Sequence, residues 1–175
     1  MSSVMVPTQP QLTERPPRRM AVVRTTGDPN QVAGAALGAL FGSVEALRQE
    51  AAQHGREIPL KTLRARWPNV GEAPAKEHLL GVWGLPVPDD VSSLPQVVPG
   101  IEVSLETWTY GTVCEILHRG PFSTEPATLE RLEEFLSARG FQACGDHEEE
   151  YLTPPGAPDQ RTLIRYPVAP LAPLD

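Results

Sequence analysis

Cysteine, aromatic residues and long apolar runs are all scarce in this sequence of 175 residues. Its two cysteines, Cys114 and Cys144, lack CxxC or metal-ligand spacing, so we expect free, buried thiols in a reducing cytosol. No stretch approaches the roughly 18 apolar residues of a membrane-spanning helix, and no secretory signal pattern opens the chain. Membrane insertion and secretion are therefore disfavoured, and a cytoplasmic location is expected.

Clustered basic residues are also missing. The formal charge is −7, from 15 Lys and Arg against 22 Asp and Glu, and the longest basic run is the pair Arg18 and Arg19. Phosphate recognition needs a clustered basic face, so direct nucleic-acid binding is disfavoured. The histidines are scattered, and His118 and His147 are each expected to be solitary surface residues. We therefore expect no metal site and no cofactor.

The two ends of the chain are rich in proline and polar residues. Residues 1–17 show no sustained periodicity and are predicted to be a disordered tail. Residues 169–175 are predicted to be a second tail, because repeated prolines cannot continue a central strand. The folded, ligand-binding domain is expected to span residues 18–168, a length that can bury a substantial core.

An internal repeat organises this domain. Residues 19–50 and 112–140 each read as an apolar strand, a glycine turn and a helix, and each helix is followed by two further strand patterns. The repeats span about 19–88 and about 102–168. Two β-α-β-β repeats predict an α+β fold, in which an antiparallel sheet is covered by two helices. Gly140 follows the last apolar position of the second helix, as expected of a C-terminal cap.

The segment HEEEY, residues 147–151, places three consecutive carboxylates in a predicted strand. Alternate side chains of a strand point to opposite faces, so Glu149 shares a face with Tyr151, while Glu148 and Glu150 share the other. Burying one carboxylate beside Tyr151 costs less than burying two. We therefore predict that Glu149 points inward, and that Glu148 and Glu150 point outward.

A buried, unpaired carboxylate carries a penalty of several kcal/mol, so Glu149 needs a partner. One candidate is Arg165 in the next strand, although alternation predicts that Arg165 points outward. A second possibility is a protonated carboxyl group whose pKa is raised by burial. A third is a cation or hydrogen-bond donor supplied by a ligand. The sequence leaves these three alternatives open.

Aromatic residues make up only 6% of the chain, yet most lie near the predicted strands and turns that follow the helices. Rings attract organic cations, by about 0.5–2 kcal/mol per contact, although core packing would explain any one of them. The predicted ligand-binding rings are Phe122, Tyr151, Tyr166, Trp67, Trp83 and Trp108.

The second repeat resembles a known family. The motifs that carry the resemblance are GTVCEILHRGPF (111–122), PATLERLEEFL (126–136), HEEEYLTP (147–154) and RTLIRYPV (161–168). They are similar to those of the GyrI-like small-molecule-binding family, whose fold is shared with the effector-binding domains of multidrug-responsive MerR-type and AraC-type regulators. The resemblance covers about residues 18–168.

This resemblance implies two pseudo-symmetric halves with a central ligand cleft. It also implies that a glutamate of an E-x-Y strand, here Glu149, neutralises lipophilic cations, and it carries over Tyr166 and Phe122 as ligand-binding rings. Trp83 is the counterpart of the closing aromatic in the first repeat. Relatives that regulate transcription carry a helix-turn-helix module ahead of this domain, whereas about 17 residues precede it here, so a stand-alone form is expected.

The expected function is binding of hydrophobic, often cationic, small molecules, for multidrug recognition or sequestration, by Glu149 and the aromatic rings. One alternative is hydrolysis of cyclopropane-containing electrophiles, with Glu149 as general base on water and Tyr151 or Tyr166 polarising the leaving oxygen. Another is inhibition of DNA gyrase, as in the family's namesake. Nothing in the sequence separates a carboxylate that binds from one that catalyses.

Overall fold

The computed structural model describes residues 6–72, 74–154 and 156–173. The strands are β1 (Gln11–Arg15), β2 (Arg18–Thr26), β3 (Arg64–Trp67), β4 (Leu80–Pro86), β5 (Ser104–Trp108), β6 (Gly111–Arg119), β7 (Phe141–Ala143), β8 (His147–Tyr151) and β9 (Arg161–Pro170). The helices are α1 (Pro29–Gln53) and α2 (Glu125–Arg139). The predicted α+β fold with antiparallel strands and two β-α-β-β repeats is confirmed.

The chain forms two compact units. The first unit contains residues 17–109, and the second unit contains residues 110–175 together with the segment up to Pro16. In the first unit the strand order is β5-β2-β4-β3, and in the second it is β1-β6-β9-β8 with β7 on β9; every pairing is antiparallel. Each repeat therefore builds the same three-strand order, and one extra strand extends each sheet.

In each unit, one helix covers one face of the sheet. Helix α1 begins after Asp28, whose side chain accepts a hydrogen bond from the backbone N–H of Asn30, and it buries a stripe of small and apolar residues. Helix α2 ends at Gly140, which adopts a left-handed conformation with φ of 76°, as predicted. Leu132 and Leu136 of α2 belong to the apolar core of the second unit. In the described part of the chain, no helix is long and apolar enough to cross a bilayer.

Both terminal predictions need correction. Residues 11–15, predicted as part of a disordered tail, form β1, because Gln11 to Arg15 pair with β6 and satisfy their backbone hydrogen bonds there. Residues 169 and 170, predicted as tail, belong to β9 and pair with β7. Residues 1–5 and 174–175 lie outside the described residues. Of the two free cysteines, Cys114 is buried as expected, whereas Cys144 is exposed.

The face of the second sheet opposite α2 carries a buried ion-pair network centred on Arg165. This guanidinium is 1% exposed and bonds Glu148, Glu115 (2.8 Å) and Glu150 (3.2 Å). Arg15 of β1 also donates to Glu115, at 2.8 Å. Burial alone would lower the pKa of Arg165, but the charges of Glu148, Glu115 and Glu150 raise it above its ordinary value.

The predicted outward orientation of Arg165 and Glu148 is therefore wrong, since both side chains are buried. The burial follows from the register in which β9 pairs with β6 and β8. Glu115 and Glu148 lie directly opposite Arg165 on its two neighbouring strands, so one cation satisfies acids from both sides. The alternation itself is as expected, because Glu148 and Glu150 share this face and Glu149 does not.

Arg165→Ala is expected to lower the free energy of unfolding by about 3–5 kcal/mol, because it leaves buried carboxylates without their cation. Urea denaturation at neutral pH measures the change. The matched control is Arg24→Ala, which removes an ion pair with Glu106 from a side chain that is 59% exposed and should cost less than about 1 kcal/mol. Similar losses in the two variants would contradict the structural role assigned to the network.

Candidate functional site

Glu149 lies on the face of the second sheet that α2 covers. It pairs in register with Ile164 of β9, and Ile164 packs in the apolar core with Leu132 and Leu136 of the helix. The Glu149 side chain is accordingly buried, with the residue 7% exposed. The inward orientation predicted from Tyr151 is thus observed, and Glu149 is separated by the sheet from the arginine that satisfies its two neighbours.

His147 and Tyr166 extend from Glu149 as a hydrogen-bonded chain. His147 lies two residues before Glu149 on the same strand face, and its Nε2 is 2.8 Å from Glu149 Oε1. Its Nδ1 is 2.6 Å from the hydroxyl of Tyr166. A carboxylate oxygen only accepts, so Nε2–H donates to Glu149, and in the neutral imidazole Nδ1 accepts from the hydroxyl. The expectation that His147 is a solitary surface residue is therefore wrong. It is also wrong for His118, which is buried and lies 2.7 Å from the hydroxyl of Thr128.

Glu125 is the second acid of the site. It is the first residue of α2, it is 9% exposed, and its carboxyl group lies beside that of Glu149, with ligand atoms of the two within 4.8 Å of each other. Its Oε1 is buried and receives no donor from any residue that the structure describes. We call Glu125 and Glu149 the carboxyl pair. The two acids are close enough for the negative charge of Glu149 to disfavour ionisation of Glu125.

Burial and charge act together on the carboxyl pair. Burial, followed by the negative charge of Glu149 and the hydrogen bond to it, raises the pKa of Glu125 to about 8. The positive end of a helix normally favours an ionised acid at this position, so desolvation outweighs the helix dipole here. Burial and the nearby acids Glu133, Glu125 and Glu149 also raise the pKa of Tyr166 to about 12. At pH 7 Glu125 is therefore a neutral acid and Tyr166 a neutral phenol.

Two further predicted residues lie in the same unit. Tyr151 ends β8, two residues after Glu149, and its ring meets that of Phe122 edge to face with centroids 5.9 Å apart. Phe122 precedes α2 in a short 3₁₀ turn and is 45% exposed. An apolar ring that is this exposed offers surface to a ligand at little cost in folding energy.

The three predicted tryptophans belong to the first unit. Trp67 and Trp83 pack edge to face with centroids 5.1 Å apart, and Trp83 donates its N–H to Thr25 at 3.0 Å. The indole N–H of Trp67 is buried and has no acceptor among the described residues. Trp108 is buried beneath the guanidinium of Arg66, 4.3 Å from the ring centroid. Their ligand-binding role stays a prediction.

The same region also has the composition of a metal site. Glu125, His147 and Glu149 each offer one ligand atom, and these atoms lie within 4.8 Å of one another. Two ligands of a tetrahedral zinc ion lie about 3.4 Å apart. The contact between His147 and Glu149 is shorter, 2.8 Å, and has the length of a charge-assisted hydrogen bond.

Sequence reasoning missed Glu125 because a glutamate in the first turn of a helix is usually explained by the helix dipole. Its burial depends on how α2 packs on the sheet, which periodicity does not fix. His147 could have been found, since strand alternation puts it on the same face as Glu149. The useful signal was the i, i+2 spacing of His147 and Glu149.

Glu125→Gln is expected to flatten the pH dependence of stability between about pH 5 and pH 8. The pKa of about 8 lies above the ordinary 4.5, so the folded protein keeps a proton that the unfolded chain has released. Stability therefore falls as pH rises through this range, by up to about 1.4 kcal/mol per pH unit, and glutamine removes that dependence. Urea unfolding at several pH values measures the slope.

The matched control is Glu130→Gln, an exposed position on the same helix, which should keep the slope of the unmodified protein. An equal slope in the Glu125→Gln protein would show that Glu125 does not hold the extra proton.

Comparison with known proteins identifies the fold. No family model and no curated protein matches the chain. An uncharacterized conserved protein from Listeria innocua is 20% identical, with a TM-score of 0.83 over 94% of both chains. A hydrolase from Listeria innocua is 19% identical, with a TM-score of 0.78 over 95% of this chain and 94% of its own. The EcmrR C-terminal domain is 15% identical, with a TM-score of 0.62 over 93% of this chain and 98% of its own. These likenesses show a shared fold, which fits the resemblance to the GyrI-like family.

Proposed function

We propose that this chain binds small hydrophobic molecules, cationic ones in particular, at the carboxyl pair. The observation that carries the proposal is the charge of the site. Glu125 and Glu149 are both more than nine-tenths buried, and no arginine or lysine of the described residues forms an ion pair with either. The hydrogen-bonding neighbour of Glu149 is His147, which donates to it without needing a positive charge.

The two faces of β8 differ in how the charge of the buried acid on each face is offset. On one face, Arg165 offsets the buried charge of Glu148. On the other, the negative charge of Glu149 is offset by no permanent cation in the described part of the chain, at a cost of several kcal/mol. A bound organic cation would reduce that cost, so a site of this kind favours cationic ligands over neutral ones of the same shape.

Aromatic rings supply the rest of the proposed site. Tyr151 and Phe122 form a ring pair on the strand and turn that flank the acids, and Tyr166 contacts His147 with centroids 5.0 Å apart. Ring faces and a buried carboxylate together suit flat, lipophilic cations.

Glu149→Gln is expected to weaken binding of a planar aromatic cation by at least about tenfold, and to change binding of a neutral analogue of the same shape by less than about threefold. Glutamine keeps the size of the side chain and removes its charge. Titration calorimetry with both compounds measures the two affinities, and Glu130→Gln serves as the control. Equal losses of affinity for the two compounds would show that the charge of Glu149 does not determine binding.

Hydrolysis is a second candidate, favoured by one specific observation. A neutral acid, Glu125, lies against a carboxylate, Glu149, that His147 orients. Carboxyl groups with separated pKa values are the usual acid and base of hydrolytic sites. Two similar solved structures are described as hydrolases from Listeria innocua, although the likeness extends to the fold alone.

For a cyclopropane conjugated to a carbonyl, the reaction balances with these groups. Glu149 accepts a proton from water while the water oxygen attacks the ring carbon. The strained C–C bond breaks, and its electron pair moves to the carbonyl oxygen. Glu125 donates a proton to that oxygen, and the sum is the addition of one water. Tyr151, predicted to polarise the leaving oxygen, lies on the same strand face as Glu149.

If the chain is a hydrolase of this class, Glu149→Gln should lower the rate of ring opening by at least about 100-fold, because the base is lost. Chromatography of the hydrated product over time measures the rate, and Tyr151→Phe tests the proposed polarising hydroxyl. Ring opening by the Glu149→Gln protein at the unmodified rate would exclude this mechanism. Ligand binding without turnover in the unmodified protein would leave the binding function alone.

Inhibition of DNA gyrase stays a prediction. No contact in the described residues favours it over small-molecule binding, and the buried acids that distinguish this site are unsuited to mimic the exposed phosphates of nucleic acid.

A further inference from the structure

We propose that Glu125 is a second ligand-binding carboxyl group, and that the carboxyl pair selects protonated amines bearing N–H groups over quaternary ammonium ions. The inference rests on the proposed binding function and narrows its ligand class. A permanent charge alone would satisfy Glu149. The position of Glu125 adds a requirement for hydrogen bonding.

The unpartnered oxygen of Glu125 is the first argument. Its Oε1 is buried and accepts no hydrogen bond from the described residues, whereas Oε1 of Glu149 already accepts one from His147. An ionised Glu125 would leave this buried oxygen without a donor, which is costly, so a cation that displaces the proton of Glu125 should bring an N–H donor to it. A protonated amine brings up to three N–H groups, and a quaternary ammonium brings none.

The spacing of the acids is the second argument. The ligand atoms of Glu125 and Glu149 lie within 4.8 Å of each other. An ammonium nitrogen that donates two hydrogen bonds of about 2.8 Å at its tetrahedral angle bridges oxygens that are about 4.6 Å apart, which falls within this limit. The methyl groups of a quaternary nitrogen hold it farther from both oxygens, and they leave Oε1 of Glu125 without a donor.

The proton balance follows from the same geometry. Because the pKa of Glu125 is raised to about 8, the carboxyl pair holds one proton at pH 7. An ammonium group that donates to both carboxylates takes the place of that proton, which passes to the buffer, so the charge of the occupied site is unchanged. The other titratable groups that face the pair are His147 on β8 and Tyr166 on β9, and Tyr166 stays neutral at this pH.

The test compares an aromatic primary ammonium, 2-(2-naphthyl)ethylammonium, with its N,N,N-trimethyl derivative. Calorimetry at pH 7 in two buffers of different ionisation enthalpy, with EDTA present to exclude metal ions, gives both the affinity and the number of protons released. The unmodified protein should bind the primary ammonium at least about tenfold more tightly and release close to one proton. Binding of the trimethyl compound should release far fewer protons.

Four variants separate this inference from the proposed function. Glu149→Gln should weaken both cations. Glu125→Gln should bring the two affinities within about threefold of each other and remove the proton release. Glu130→Gln, exposed on the same helix, should leave both measurements unchanged. Glu125→Asp, which keeps the charge and shortens the side chain, should retain a reduced preference, and it replaces Glu125→Gln if that protein does not fold.

The outcomes that overturn the inference are distinct. A preference for the primary ammonium that persists in the Glu125→Gln protein would show that Glu125 does not create it, while the role of Glu149 would stand. Equal affinities of the unmodified protein for the two cations would likewise overturn the selectivity alone. If the unmodified protein bound neither cation, both this inference and the preference for cationic ligands would fail.

Discussion

The structure depends on how the buried acids of β8 are neutralised, because an arginine pairs with the acid on one face of the strand and a histidine bonds the acid on the other. Successive glutamates of one strand point to opposite faces, and both faces are buried at Glu148 and Glu149. Arg165 of β9 forms ion pairs with Glu148 and with Glu115 of β6. Glu149 instead meets His147 and a second acid, Glu125. One strand thereby carries a buried acid that is neutralised by an arginine and, on its other face, a buried acid that no arginine or lysine of the described residues neutralises.

The chemistry of the site follows from that difference between the two faces. A pair of carboxyl groups that holds one proton can exchange the proton for a cation, or can give the proton to a substrate while the other carboxyl group removes one from water. Binding and hydrolysis are thus two uses of the same arrangement. The hydrogen bonds from Tyr166 to His147 and from His147 to Glu149 would support either function, because they fix the orientation of the carboxylate.

Sequence reasoning reached the fold because both repeats show clear hydrophobic periodicity bounded by turn residues. It also reached the burial of Glu149, since Tyr151 fixed the phase of β8. It failed for Glu148 and Arg165 because alternation was combined with the assumption that one face of the strand is solvated. It failed for Glu125 because the burial of a helix terminus depends on tertiary packing, which local pattern does not encode. The errors therefore concern partners that lie far apart in the chain.

The central claim is that the buried carboxyl group of Glu125 keeps its proton at neutral pH beside the negative charge of Glu149. Carbon-13 NMR of side-chain carboxyl groups, followed from pH 4 to pH 9 and assigned with the Glu125→Gln protein, measures this directly. The account predicts one glutamate carboxyl that stays protonated until about pH 8. Titration of every glutamate below about pH 6 would contradict it, because the acids of the site would then be separately ionised and no proton would be available for exchange or transfer.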